Sequence, residues 1–205
     1  MLPLTLKNIE QWDKEVEQDP KYGKEQQLIE RVIKLYPLNK NLVQVAMKVS
    51  VIDLTNSTQL TNYKSRISLY DVCQIILSIK DFDKRLSTGD PLLVEEIARN
   101  SKDFGGKGKG VNLFSFASKY CCYHNIYQYK RDDYSIFDNV VSAHLSSYST
   151  KLNPLQKLQP EKWRQAFQYR EFNDYIGRLL DEKKIDASVH GRRRMFDHFL
   201  WFANR

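Results

Sequence analysis

Apolar residues recur every three or four positions along most of the chain, which is the spacing of one face of an α-helix. Such segments outnumber any with the pattern of a strand, although the β-branched residues at 49–52 leave a strand open there. The sequence therefore predicts an all-α fold. Helices are predicted at 9–16, 28–36, 42–52, 69–79, 92–98, 113–123, 136–148 and 161–181, before a closing apolar segment at 195–202.

The spacing of these helices predicts how the chain is organised. Segment 42–52 is apolar on most faces, so we expect it at the centre of the core. Ser68, with Asp71 three residues later, predicts a capped helix start. Residues 81–90 are charged and predict a turn. We expect residues 1–205 to form one helical domain with two lobes.

Lys119 and Asp138 are isolated charges in the two apolar segments of the stretch 113–145. Lys119 is the only charge within 112–123, and Asp138 is the only charge within 134–143. A lone charge among apolar residues costs free energy unless it pairs with an opposite charge or takes part in binding or catalysis. Burial also disfavours the charged form of an amine, and the neutral amine is the nucleophilic form. The structural alternative is a lysine that extends to the surface from a core helix and an aspartate that caps a helix.

Two loops carry residues suited to binding a ligand. The polar run 53–59 either caps a helix and forms a loop or places hydrogen-bonding side chains beside a ligand. The glycine-rich run 104–110 lacks the spacing of a phosphate-binding loop, so a nucleoside triphosphate site is not expected. It suits contacts with phosphates, or else forms a solvated loop. The candidate DNA-binding residues of the two loops are Asn56, Ser57, Thr58, Gln59, Lys107 and Lys109.

Two further basic segments suit nucleic acid. Segment 124–135 is predicted to be a loop, and its interleaved tyrosines and basic residues suit base stacking and backbone contacts. Arg192, Arg193 and Arg194 adjoin a predicted helix N-terminus, where positive charge opposes the helix dipole. A bound phosphate would relieve that repulsion. The alternative is a solvated helix start.

Composition narrows the protein class. The 205 residues carry a formal net charge of +7, which favours a polyanionic partner such as nucleic acid. An odd count of three cysteines predicts a reduced, cytoplasmic protein. Cys121, Cys122 and His124 lack the second ligand pair of a structural zinc site, so no metal is expected. The first residues show no signal peptide, and no stretch is long enough to span a membrane.

Lys119 and Asp138 lie 138 − 119 = 19 positions apart, each in an apolar segment. In this the chain resembles the helix-hairpin-helix DNA glycosylase superfamily, which includes the endonuclease III type and the 8-oxoguanine glycosylases. That family places a nucleophilic lysine at the start of the helix after its hairpin, and an aspartate a similar distance onward at the next helix start. Here Asp138 lies in Ile-Phe-Asp-Asn-Val, residues 136–140.

The resemblance covers residues 42–145, and segments 1–41 and 146–205 would complete the second lobe. Residues 56–59 resemble the family's loop that fills the gap left by a flipped base. The sequence departs from the family at the hairpin, because residues 113–118 contain no glycine and the glycines lie earlier, at 105–110.

The resemblance implies a DNA glycosylase, with or without AP-lyase activity, that flips a damaged or modified base out of duplex DNA. Lys119 would attack the sugar C1′, while Asp138 would orient it and stabilise the developing positive charge. Tyr120, Tyr123 and His124 would line the base pocket. The expected partner is double-stranded DNA, with no cofactor, and the expected state is a monomer.

Two other functions remain open from the sequence. The first is a non-catalytic nucleic-acid-binding module on the same fold, in which Lys119 contacts phosphate rather than sugar. The second is a nuclease, which is less favoured because the acidic residues show no metal-binding arrangement in the sequence.

Overall fold

The computed structural model describes residues 2–56, 58, 60, 66–106 and 109–203. These residues form helices joined by turns and extended segments, and none of them lies in a strand, so the all-α prediction is confirmed. The helices are α1 (Leu6–Gln18), α2 (Tyr22–Leu35), α3 (Leu42–Asn56), α4 (Leu69–Ser78), α5 (Phe82–Thr88), α6 (Leu92–Asp103), α7 (Phe114–Tyr129), α8 (Asn139–His144), α9 (Gln159–Ala166), α10 (Tyr169–Glu182) and α11 (Arg192–Ala203).

Helix α5 replaces the turn predicted at 81–90. Phe82 and Leu86 are buried four positions apart, which gives this charged segment one apolar face. Asp81 (φ 54°) and Gly89 (φ 72°) both adopt left-handed conformations at its ends. The turn was predicted instead of a helix because Phe82 and Leu86 span only one helical turn, which is too short for a periodic apolar pattern to be recognised in the sequence.

Other helix ends also differ from the prediction because non-glycine residues adopt left-handed conformations. Helix α7 continues through the predicted loop as far as Tyr129 and ends at Lys130 (φ 55°). Phe167 (φ 57°) divides the predicted helix 161–181 into α9 and α10. Non-glycine residues seldom adopt positive φ, so neither break has a sequence signature.

The start of α4 and the end of α3 are fixed by side-chain caps. The Ser68 Oγ accepts from the backbone N–H of Asp71 at 3.2 Å, and Asp71 Oδ2 accepts from that of Ser68 at 2.8 Å. This reciprocal cap confirms the predicted helix start. Helix α3 extends to Asn56. The buried carboxylate of Asp53, in its last turn, accepts from the backbone N–H of Leu60, which lies after the helix, at 2.9 Å.

Helix α7 occupies the centre of the core. It packs against α2, α3, α5 and α6, and its residues from Phe116 to Asn125 are all buried. Helix α3, expected there, buries one face and exposes Val43, Met47 and Leu54. The first and last helices, α1 and α11, pack closely against each other. Within the described residues, no helix is both long enough and apolar enough to cross a membrane.

A glycine turn joins the packed helices α6 and α7. The backbone N–H groups of Gly110 and Val111 donate to the carbonyls of Lys102 and Ser101 at 3.1 and 3.0 Å. A Cβ at Gly110 would lie 1.9 Å from the carbonyl oxygen of Ser101, so this close approach requires glycine. The turn sets the direction in which α7 enters the core, and Lys119 follows in the second turn of α7.

Candidate functional site

The structure brings Lys119 and Asp138 together in the interior. Nζ of Lys119 lies 3.5 Å from Oδ2 of Asp138, and the two residues are 5% and 6% exposed. The same Nζ lies 3.4 Å from the backbone carbonyl of Asn56, at the end of α3. The two charges that are isolated in the sequence therefore form a buried pair.

Asp138 is held by both of its carboxylate oxygens. Oδ1 accepts from the backbone N–H groups of Val140 and Val141 at 2.9 and 3.0 Å, which caps α8. Oδ2 accepts from the indole Nε1 of Trp201 at 2.7 Å. Hydrogen bonds to both oxygens fix the orientation of the carboxylate.

The helix predicted at 136–148 begins at Asn139 and continues as a 3-10 turn over Leu145–Tyr148, whereas the segment before it, up to Asp138, is not helical. Ser118, one position before Lys119, accepts from the backbone N–H of Phe137 at 3.0 Å. Asn173 on α10 accepts from the backbone N–H of Ser135 at 2.8 Å, and Tyr169 donates to the Ser135 carbonyl at 2.8 Å. Ser118 holds the segment against α7, and Asn173 and Tyr169 hold it against α10, which together fix the distance between the lysine and the aspartate.

Two cavities share the lysine–aspartate pair. The first, which we call the α2-side cavity, has a volume of about 400 Å³. The second, the α9-side cavity, has a volume of about 270 Å³. Both are lined by Asn56, Lys119, Asp138 and Trp201. The α2-side cavity adds Asp19, Lys21, Tyr22, Glu25, Leu54, Thr55 and Asp197, and the α9-side cavity adds Thr58, Asn112, Leu113, Ser115, Phe116, Asn139, Val140 and Arg164.

Two residues of the predicted polar loop lie at these cavities. Asn56 lines both cavities, and Thr58 lines the α9-side cavity and donates to Oδ1 of Asp53. Ser57 and Gln59 lie outside the described residues. The part of the loop that the structure describes is therefore next to Lys119.

The three predicted base-pocket residues lie in the core, so this prediction is wrong in its placement. Tyr120, Tyr123 and His124 are each 0% exposed, and none of them lines either cavity. Tyr120 donates to Oδ1 of Asn39, and Nδ1 of His124 lies 2.7 Å from the Tyr120 carbonyl. Burial lowers the pKa of His124, which keeps its ring neutral. Tyr123 contacts the cavities only through Asn56, because its hydroxyl donates to the Asn56 side chain.

The arginines at the start of α11 face inward, contrary to the phosphate-binding prediction. Arg192 is buried and donates to Asp181 at 2.5 Å and to the Ile185 carbonyl at 2.6 Å. Arg194 is buried and pairs with Asp197. The repulsion from the helix dipole is offset by these carboxylates rather than by an external phosphate.

Arg193 and the lysines of the glycine turn complete the predicted DNA-binding set. Arg193 is half-buried and donates to Ser135 and to the Asn173 carbonyl, both at 2.8 Å. Lys109 is exposed, so its side chain is accessible to a phosphate. Lys107 lies outside the described residues.

Sequence reasoning missed Trp201 and Asp197, both on α11. Trp201 lies 63 positions from Asp138, and nothing in its local sequence distinguishes it from the core aromatics around it. Asp197 had a detectable signal, because it lies three positions after Arg194 and such pairs meet on a helix. Burial, with the negative charge of Asp138, raises the pKa of Asp197 to about 7 against the opposing effect of Arg194.

Among the described residues, no cluster of three or more histidine, cysteine, aspartate or glutamate side chains could hold a metal ion. The three cysteines are buried and unpaired with one another. The functional groups that both cavities share are the amine of Lys119, the carboxylate of Asp138, the amide of Asn56 and the indole of Trp201.

Comparison with known proteins gives the family. A family model described as HI_0787_N, N-terminal domain, matches residues 5–132, more than half of the chain. The chain belongs to the HI_0787_N family. A Haemophilus influenzae protein named "Uncharacterized protein" is 29% identical over 176 residues, which are 86% of this chain and 74% of that protein. No solved structure matches the chain.

The family match includes one half of the candidate site. Lys119 lies inside the residues matched by the HI_0787_N model, whereas Asp138 and Trp201 follow them. The buried pair thus joins the N-terminal domain of this family to the segment after it.

Proposed function

We propose that this HI_0787_N protein is a DNA glycosylase with AP-lyase activity, which extrudes a damaged or modified base from duplex DNA and cleaves its N-glycosidic bond. The observation that carries the proposal is the buried contact between Nζ of Lys119 and Oδ2 of Asp138, 3.5 Å long, at the boundary of two cavities. A buried amine beside an oriented carboxylate is the arrangement that an amine nucleophile needs.

The proposed reaction assigns one role to each side chain. Neutral Lys119 attacks the sugar C1′ with its lone pair, the bond from C1′ to the base breaks, and the bonding electrons leave with the base, which takes up a proton. Asp138 remains ionised and stabilises the positive charge that develops on the sugar. The nitrogen then loses a proton and forms a Schiff base with C1′ as the C1′–O4′ bond breaks and O4′ takes up a proton. Loss of a proton from C2′ expels the 3′ phosphate by β-elimination and cuts the strand.

The glycine turn between α6 and α7 supports contact with the DNA backbone. Gly105 and Gly106 have positive φ of 71° and 110°, and neither has a side chain to obstruct an approaching phosphate. Lys109 in the same turn is exposed. A helix, a glycine turn and a second helix bearing the lysine are the elements expected from the glycosylase resemblance, with the glycines placed earlier along the chain.

A second candidate function is a non-catalytic nucleic-acid-binding module. The observation in its favour is that the Lys119 amine also contacts the Asn56 carbonyl, so that the pair ties α3, α7 and the start of α8 together. In that case Lys119 has a structural role, and its position at the cavities has no chemical consequence.

Borohydride trapping distinguishes the two functions. The protein is incubated with duplexes that carry an abasic site or one of a panel of damaged bases, and sodium borohydride reduces any Schiff base to a stable adduct. We expect an adduct with the wild type and none with Lys119→Gln. The matched control is Lys34→Gln, which removes an exposed lysine that pairs with Glu30 on the surface of α2.

Each outcome has a defined meaning. Loss of the adduct in Lys119→Gln alone supports the glycosylase. An adduct that persists in Lys119→Gln contradicts the assignment of the nucleophile. Salt-sensitive binding without any adduct on any duplex supports the binding module instead.

A further inference from the structure

Asp197 presents an unused hydrogen-bond acceptor beside the α2-side cavity. The residue lines that cavity and is 4% exposed. Its Oδ2 accepts from the guanidinium of Arg194, but its Oδ1 is buried and has no partner among the described residues. A buried carboxylate oxygen without a hydrogen bond is costly, which is why such atoms usually serve a ligand or a reaction.

Arg194 holds this carboxylate in place and is itself fixed. Its guanidinium carbon lies 5.0 Å from the centre of the Tyr123 ring, and its NH2 group donates to Gln26 at 2.9 Å. The Tyr123 hydroxyl in turn donates to Asn56, which lines the same cavity. Asp197 therefore belongs to a connected polar network at the cavity wall rather than to an isolated ion pair.

Two of the acidic residues at the α2-side cavity, Asp138 and Asp197, differ in the hydrogen bonds that their carboxylates make. Asp138 has both oxygens occupied by the α8 cap and by Trp201, and its Oδ2 faces Lys119. Asp197 has one oxygen occupied by Arg194 and one unpaired. The first arrangement suits a fixed counter-charge at the sugar, and the second suits recognition of a group that donates a hydrogen bond.

We propose that Asp197 reads the extruded base by accepting a hydrogen bond from a ring N–H or an exocyclic amine of that base at Oδ1. This inference rests on the proposed glycosylase function. It adds the class of base that the enzyme would release, namely bases with an N–H donor on the edge that faces α11. Where Asp197 is ionised, a base with only acceptors at that edge would leave Oδ1 unpaired and would repel the carboxylate, which is a strong basis for rejection.

Burial supports this role through the protonation of the group. Burial, with the nearby charge of Asp138, raises the pKa of Asp197 to about 7, so its ionised form is poorly stabilised by the protein alone. A donor from the base would stabilise the ionised form, and the base would thereby be bound in the α2-side cavity next to Lys119.

The test is to measure base recognition and sugar chemistry separately in Asp197→Asn. The amide can keep its oxygen on Arg194 while placing an NH2 group where Oδ1 lies, which replaces the acceptor by a donor. Base release is measured on duplexes with damaged bases that either carry or lack an N–H donor, for instance a ring-N-methylated derivative. Schiff-base trapping is measured on an abasic-site duplex, which has no base to recognise.

A matched control variant is Asp181→Asn. Asp181 also pairs with an arginine of α11, Arg192, but it is exposed and lines neither cavity. Melting temperatures of both variants and of the wild type show whether each remains folded.

We expect Asp197→Asn to slow base release by about 10- to 100-fold, the loss typical of an unpaired buried polar contact, and to keep trapping abasic-site DNA. Base release at the wild-type rate would overturn the inference. Equal loss of release and trapping in a folded variant would also overturn it, since Asp197 would then act on the lysine pair. A wild-type protein that traps abasic DNA but releases no base would be an AP lyase, which overturns both this inference and the proposed base release. Failure of wild-type trapping overturns the glycosylase/lyase proposal itself.

Discussion

Trp201 donates its indole N–H to Oδ2 of Asp138 at 2.7 Å and so links the last helix to the cap of α8. That oxygen is also the one nearest the Lys119 amine, at 3.5 Å. An indole donor on one side and an amine on the other leave the carboxylate little freedom to rotate. The orientation of the lysine–aspartate pair thus depends on a residue 63 positions further along the chain from Asp138.

Replacement of Trp201 by phenylalanine removes this donor and keeps most of the ring. We expect Trp201→Phe to reduce the rate of Schiff-base trapping by about 10-fold, because a hydrogen bond to a charged group contributes about 1.5–3 kcal/mol. The control is Trp12→Phe, which alters a half-buried tryptophan of α1 away from both cavities. Equal trapping rates for both variants would show that the indole does not orient Asp138.

Asp138 has a structural and a chemical role that two substitutions separate. Asparagine can still cap α8, whereas alanine cannot, so we expect Asp138→Ala to be less stable than Asp138→Asn by about 1 kcal/mol. Both variants should lose trapping, because neither supplies a negative charge beside the sugar. Chemical denaturation measures the stability difference. Trapping at the wild-type level in Asp138→Asn would remove the carboxylate from the mechanism.

The internal arginine and the exposed lysine should differ in the salt dependence of DNA binding. Lys109→Gln should lower the slope of log K against log salt concentration by about one unit, because one phosphate contact is lost. Arg192→Gln should leave the slope unchanged and lower the melting temperature, because Arg192 is buried against Asp181 and the Ile185 carbonyl. Binding measured at several salt concentrations checks both. A reduced slope in Arg192→Gln would place that arginine on the DNA.

Lys48 is a buried amine outside the candidate site, and its protonation should affect how the stability of the protein depends on pH. It is 0% exposed, its Nζ donates to the Leu38 carbonyl at 2.9 Å, and burial lowers its pKa to about 8. In the unfolded chain the amine stays protonated to about pH 10.5, so between pH 8 and 10.5 the unfolded state binds more protons. The contribution of Lys48 to the free energy of unfolding should therefore rise with pH across this range.

The measurement is the difference in unfolding free energy between the wild type and Lys48→Met. We expect the wild type to gain stability relative to the variant as the pH rises from 8 to 10, by an amount on the order of 2 kcal/mol. A difference that stays constant with pH would show that Lys48 titrates normally in the folded protein.

The longer helices could be predicted from apolar periodicity, because helices such as α1, α2 and α10 bury one face over three or more turns. The ends of α7 and α9 could not, since Lys130 and Phe167 adopt left-handed conformations that their side chains do not favour. The centre of the core was assigned to α3 instead of α7. Helix α7 contains polar residues such as Asn125, whose side-chain amide donates to the Leu86 carbonyl, a tertiary contact that a sequence does not display.

Half of the candidate site was also predictable. Lys119 and Asp138 are conspicuous because each is alone among apolar residues, and a buried charge needs a partner. The inward position of Arg192 and Arg194 was not predicted, because their carboxylate partners on α10 and α11 look like solvated charges in the sequence. Trp201 and the unpaired oxygen of Asp197 depend on how α11 packs, which local pattern does not reveal.

The most direct measurement is mass spectrometry of the borohydride-trapped adduct formed with abasic-site DNA. After digestion of the protein and the DNA, the reduced sugar should be found on the α7 peptide, attached to Lys119. The buried Lys48 and the exposed Lys34 serve as internal comparisons and should carry none. An adduct on any other lysine, or on the N-terminal amine, would contradict the assignment of Lys119 as the nucleophile.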